Sequence, residues 1–102
     1  MDKIVSYEDV ERKILSVRGY SVLLDFDVAE LYGVETKRIN EAVTRNQDKF
    51  PEGYIISLDN QIMSELVANC DRFEKLKHST VVPKAFTAKG LYMLATILLI
   101  IV

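Results

Sequence analysis

The chain has 102 residues, 49% of them hydrophobic and 27% charged, which describes one globular domain over 1–102 and not a disordered segment. Thirteen Lys/Arg against fifteen Asp/Glu leave a formal charge of −2, so no overall basic charge announces a nucleic-acid partner. A single cysteine, Cys70, excludes an intramolecular disulfide, and a single histidine, His78, excludes paired-histidine chemistry.

The N-terminus carries Asp2 and soon reaches Glu8, unlike a secretory signal. The longest apolar run, 91–102, is shorter than the roughly 20 residues a membrane-spanning helix needs. A cytoplasmic domain with no membrane partner is expected. Charge is unevenly placed. Residues 1–34 hold four basic and seven acidic residues (−3), 35–50 four and three (+1), 51–70 none and three (−3), and 71–102 five and two (+3).

In chain order, Ser6-Tyr7-Glu8-Asp9 resembles a helix start, with Val10 and Ile14 four apart on one face. Ile14-Leu15-Ser16-Val17 and Ser21-Val22-Leu23-Leu24 flank Arg18-Gly19-Tyr20 and predict a hairpin. Asp27 is expected to open a helix, with Glu30 completing a capping box, Phe26 packing on Leu31 as a staple, and Gly33 closing it. A second helix is predicted over about 36–47, with Phe50-Pro51 beyond its end. Residues 54–58 read as a strand paired with the hairpin. Asp59 caps a helix carrying Ile62, Met63, Leu66, Val67 and Cys70 at helical spacing. A polar, basic loop runs to Lys84, and Thr87 caps a last helix, with Phe86 against Leu91. That helix is apolar nearly all round, so it is either central to the core or in need of a partner. Its composition predicts a homodimer or a truncated partner surface through Leu94, Ile97, Leu98 and Ile101, as in an N-terminal fragment of a longer chain. The fold class is α+β: a hairpin or three-stranded antiparallel sheet packed with a helix-turn-helix and two further helices.

The informative stretch is 25–44. A helix-turn-helix packs two short helices at a steep angle through a tight turn. The first helix needs a small residue at the crossing, and Ala29 stands four before the turn glycine, Gly33. Val28, Tyr32, Val34, Ile39 and Ala42 fall at the offsets that face the two helices together. For the second helix's cap, Glu35 or Thr36 must serve. At about 100° per residue, Lys37, Glu41 and Thr44 lie opposite Ile39, flanked by Asn40 on one side and by Arg38 and Arg45 on the other. Asn is the preferred bidentate reader of adenine, and Lys and Arg read guanine or hold phosphate. Glu41 either accepts from a cytosine amino group or pairs with Lys37 or Arg45. A plain two-helix corner without DNA is the alternative.

The run from Val22-Leu23-Leu24-Asp25 through Asp27-Val28-Ala29-Glu30-Leu31-Tyr32-Gly33-Val34-Glu35-Thr36-Lys37-Arg38-Ile39-Asn40-Glu41-Ala42-Val43, with Arg45-Asn46, Phe50-Pro51 and Pro83-Lys84-Ala85-Phe86-Thr87, resembles one phage family. It is the KilA-N/Bro-N group of N-terminal domains, in the branch named after a phage "open reading frame six". The resemblance implies a DNA-binding α+β domain of phages and prophages, often fused to variable domains in antirepressor-type regulators of transcription or lysogeny in a bacterial or phage-infected cell. The chain departs from the pattern in the loop His78-Ser79-Thr80-Val81-Val82, and at Lys84 and Lys89, where aromatic or uncharged polar residues are usual.

The expected partner is double-stranded DNA, met by Thr36, Lys37, Arg38, Asn40, Glu41, Thr44, Arg45 and Asn46, with Lys49, Arg72, Lys75 and Lys77 as further phosphate contacts. The rival function is a protein-interaction module that binds a repressor or partner chain. No nucleophile elbow, phosphate loop or metal-ligand spacing occurs, so no enzyme, cofactor, metal or small-molecule substrate is expected. Asp25 and Asp27 read as helix caps, Cys70 as a buried inert thiol, and His78 as solvated.

Overall fold

A computed structural model describes residues 7–69 and 82–98. Helix α1 (Tyr7–Lys13) leads into a hairpin of β1 (Leu15–Val17) and β2 (Tyr20–Leu24). Both turn residues, Arg18 (φ 52°) and Gly19 (φ 82°), are left-handed, the geometry that matches the twist of a two-residue hairpin. Helices α2 (Asp25–Tyr32) and α3 (Thr36–Arg45) follow, then a 3₁₀ turn, Gln47–Lys49, and strand β3 (Ile55–Ile56). Helix α4 (Asn60–Asn69), strand β4 (Ala85–Phe86) and helix α5 (Ala88–Leu98) complete the described chain.

The four strands form one antiparallel sheet in the order β1-β2-β4-β3. Strand alternation splits the core into two layers. Leu23 of β2 and Phe86 of β4 face a cluster with Val28, Ala29, Ile39, Ala42, Val43 and Leu94, so α2, α3 and α5 cover that side. Val22, Leu24, Ala85 and Ile56 face the other, where Ile62, Met63, Leu66 and Val67 of α4 pack. Asp59 caps α4 as expected, its Oδ1 accepting from the Ile62 N–H at 2.8 Å. That bond, followed by the Arg18 guanidinium at 3.0 Å, holds its carboxyl below the usual carboxylate range.

Several expectations are corrected. Asp27 does not cap α2. The helix begins two residues earlier, at Asp25, after an extended Leu24, and no side chain caps it. The reason is tertiary: the Asp25 N–H donates to the Lys84 carbonyl oxygen at 2.9 Å, so the chain entering β4 satisfies the helix start. Glu30 instead pairs with Lys13 at 3.1 Å. Phe26 does not staple Leu31, because the two pack against opposite layers of the core. The strand over 54–58 is reduced to Ile55–Ile56, and it pairs with β4, not with the hairpin. Strand β4, absent from the predicted three-stranded sheet, lies between them; its two residues are too few to show a period.

Thr87 does cap α5, and it also anchors it. Its Oγ1 accepts from the Gly90 N–H at 3.4 Å and lies 2.7 Å from the Gly53 carbonyl oxygen, to which it can donate. Gly90 is buried against that turn, where a Cβ would collide with the Tyr54 carbonyl oxygen. The last helix is central to the core: Leu94 is fully buried, and Ile97 and Leu98 pack against the same cluster, so Leu94 is not part of an outer surface. Ile101 lies outside the described residues. Among the described residues no helix is long and apolar enough to cross a membrane.

Candidate nucleic-acid interface

The turn between α2 and α3 is built by Gly33, at φ 70° and ψ 31°. Its N–H donates to the Glu30 carbonyl oxygen at 3.3 Å, and the Val34 N–H reaches back to the Ala29 carbonyl oxygen at 3.0 Å. This pair of bonds closes a helix through one left-handed residue. Ala29, 3% exposed, sits at the crossing with α3, where Val28, Ile39 and Ala42 are also buried and Tyr32 and Val34 pack against the same cluster. Every apolar position predicted for the corner faces the core. The Tyr32 hydroxyl donates to the Leu91 carbonyl oxygen at 3.0 Å, tying the corner to α5, and burial pushes its pKa up.

With Ile39, Ala42 and Val43 facing inward, α3 presents a polar exterior. Its N-cap is Glu35, in extended backbone and without a side-chain capping bond; Thr36 is the first helical residue and half-buried. Lys37, Arg38, Thr44 and Arg45 are exposed, and Asn40 and Glu41 are half-buried. Three cations on α3 thus stand against one acid, Glu41. Glu41 pairs with Arg45 at 3.6 Å, across one helical turn, and Arg45 remains 78% exposed. An exposed pair of this kind contributes little and leaves the guanidinium available.

The helix ends at Arg45, two residues before the predicted boundary. Asn46 turns its amide back, Nδ2 donating to the Ala42 carbonyl oxygen at 2.8 Å, so this side chain closes the helix. Lys49 is exposed on the 3₁₀ turn just beyond. Arg72, Lys75 and Lys77 lie outside the described residues, as do Cys70 and His78. Asp25 and Asp27 are buried, each 4% exposed, in the first turn of α2, where negative charge complements the helix dipole.

One residue joins this face that sequence reasoning left out. Lys84, half-buried just before β4, extends to α3 and donates from Nζ to Asn40 Oδ1 at 2.9 Å. The two are 44 positions apart, and no local pattern links them. On the other flank, Arg38, Arg45 and Asn46 border a shallow cleft of about 180 Å³ whose apolar wall is Ile97 and Leu98. Among the described residues no group of three or more His, Cys, Asp or Glu side chains is placed to hold a metal ion.

Fold and surface together define a small α+β domain in which a tight two-helix corner displays a cationic helix. Residues 12–97 match the ORF6N domain, and the chain belongs to that family, a phage-associated, KilA-N/Bro-N-like group of regulatory domains and not a known enzyme family. No curated protein and no solved structure matches the chain.

Proposed function

We propose that this domain binds double-stranded DNA, with α3 as a recognition helix in the major groove, and acts in phage or prophage control of transcription or lysogeny in the host cytoplasm. The observation that carries the proposal is the outer face of α3. A short helix with three buried apolar residues (Ile39, Ala42, Val43) is held by a tight corner, and its free side offers Lys37, Arg38, Asn40, Thr44 and Arg45. A helix in that setting is what a major groove admits, and these side chains are those that meet base edges and phosphates. Thr36 and Glu41 border the same face. Lys49, exposed on the turn just beyond α3, would add a phosphate contact, as would Arg72, Lys75 and Lys77 further along the sequence. Asn46 contributes by ending the helix.

Titration of the parent and Asn40→Ala against selected and scrambled duplexes tests this. Loss of one base-reading side chain should cost about 1–3 kcal/mol on the preferred site and flatten the sequence preference. Unchanged binding by Asn40→Ala and by Arg45→Ala would remove α3 as a DNA-reading face. The cleft beside Ile97 and Leu98 favours a second reading, a docking site for a repressor or partner chain. Binding that persists when Arg45 is removed and that is insensitive to salt would favour it.

A further inference from the structure

We infer that Lys84 sets the base preference of Asn40, turning a side chain that ordinarily reads adenine toward guanine by occupying its amide oxygen and leaving its donors free. This rests on the DNA-binding reading above. An ammonium has three donors and no acceptor, so the Asn40 atom facing Lys84 Nζ at 2.9 Å is the amide oxygen, and Nδ2 is turned away from it. The contact alone therefore fixes the orientation of the amide.

Lys84 is firmly mounted. Its backbone N–H donates to Asp25 Oδ2 at 3.3 Å, and its carbonyl oxygen accepts from the Asp25 N–H at 2.9 Å. The next residue, Ala85, is fully buried in β4. Only the side-chain stem is free to move, and its tip is on Asn40. Among the described residues Lys84 takes part in none of the ion pairs.

Bidentate reading of adenine uses both ends of an Asn amide: Oδ1 accepts from the N6 amino group, and Nδ2 donates to N7. With Lys84 in place, Oδ1 already accepts one bond, and its second lone pair would have to take the N6 amino group beside a full positive charge. Guanine presents only acceptors, N7 and O6. The Lys84–Asn40 pair offers mostly donors, the two N–H groups of Nδ2 and the two remaining on Nζ, against one lone pair left on Oδ1 beside the ammonium. Both side chains are half-buried, so the donors are anchored and still reachable.

The experiment selects duplexes from a randomised pool with the full chain as wild type, Asn40→Ala and Lys84→Met. The position whose preference disappears in Asn40→Ala is the one Asn40 contacts. At that position wild type should favour guanine over adenine by about tenfold. Lys84→Met keeps the aliphatic stem and frees Oδ1, and the preference should move to adenine. Adenine selected by wild type, or guanine retained by a folded Lys84→Met, overturns the inference while leaving DNA binding intact. So does an Asn40→Ala that weakens all sequences alike, since Asn40 and Lys84 then hold the backbone. A wild type that binds no duplex overturns the DNA-binding reading and this inference with it. The wild-type arm needs no variant of Lys84, and Lys84→Leu repeats the second arm where Lys84→Met does not fold.

Discussion

At Tyr32 a single phenol joins α2 to α5. Its hydroxyl donates to the Leu91 carbonyl oxygen at 3.0 Å, and burial raises its pKa above 10.0. Tyr32→Phe keeps the ring and removes the bond, which should cost about 0.5–1.5 kcal/mol. The direction of the pH dependence follows from the same burial. Between the unfolded and folded pKa values the unfolded chain has released its phenolic proton and the folded chain has not, so stability falls as pH rises. The contribution is complete below the unfolded pKa and is lost as pH rises through the folded one. Thermal melts at about pH 8 and about pH 11 should show the gap between parent and Tyr32→Phe narrowing at the higher pH. A gap that widens would mean the phenol is not held in its neutral form.

At the scale of the element, the corner between α2 and α3 rests on a small residue and a left-handed one. Ala29 is 3% exposed at the crossing, so Ala29→Leu should overpack it and cost roughly 1–3 kcal/mol. Gly33→Val fails for a different reason. Nothing lies within 4 Å of the Cβ it would add, so there is room, but a β-branched residue resists φ near +70°. Denaturant melts in which both variants match the parent would dissolve the corner as a packed unit. These two residues were legible in the sequence because the corner is local: an alanine and a glycine four apart, with apolar residues at fixed offsets. The hairpin and the caps of α4 and α5 were legible for the same reason. What escaped involved partners distant in sequence. The start of α2 was misplaced because its first N–H is satisfied by Lys84, 59 positions away along the chain, and not by the nearby Asp27. The central strand β4 was missed because two residues cannot alternate visibly, although Phe86 and Ala85 carry both layers of the core. Most of the candidate site was readable from the period of α3. Lys84 was not, since only the sheet order brings it to Asn40.

For the whole molecule, an overall charge of −2 coexists with a face where α3 carries three cations and Lys84 adds another. Acidic residues elsewhere do not cancel this over short range, because at physiological salt the screening length is about 8 Å. A partner that approaches α3 therefore meets a positive surface on an acidic body, which orients the encounter. The apolar last helix does not alter that geometry. Leu94 belongs to the core, so of the described residues expected at a homodimer surface Ile97 and Leu98 remain, beside Arg38 and Arg45 on the same cleft. Arg45 is where the DNA and protein readings diverge. Its ion pair with Glu41 is exposed and weak, so a phosphate reaching it would compete readily with the carboxylate. If α3 lies in the groove with Arg45 on the backbone, Arg45→Ala should weaken binding to every duplex to a similar degree. It should also reduce the slope of log affinity against log salt by about 1, the release of one counterion. Titrations at two salt concentrations measure both quantities. A variant that loses affinity with the slope unchanged would mean that Arg45 releases no counterion, and its place on the DNA backbone would fall.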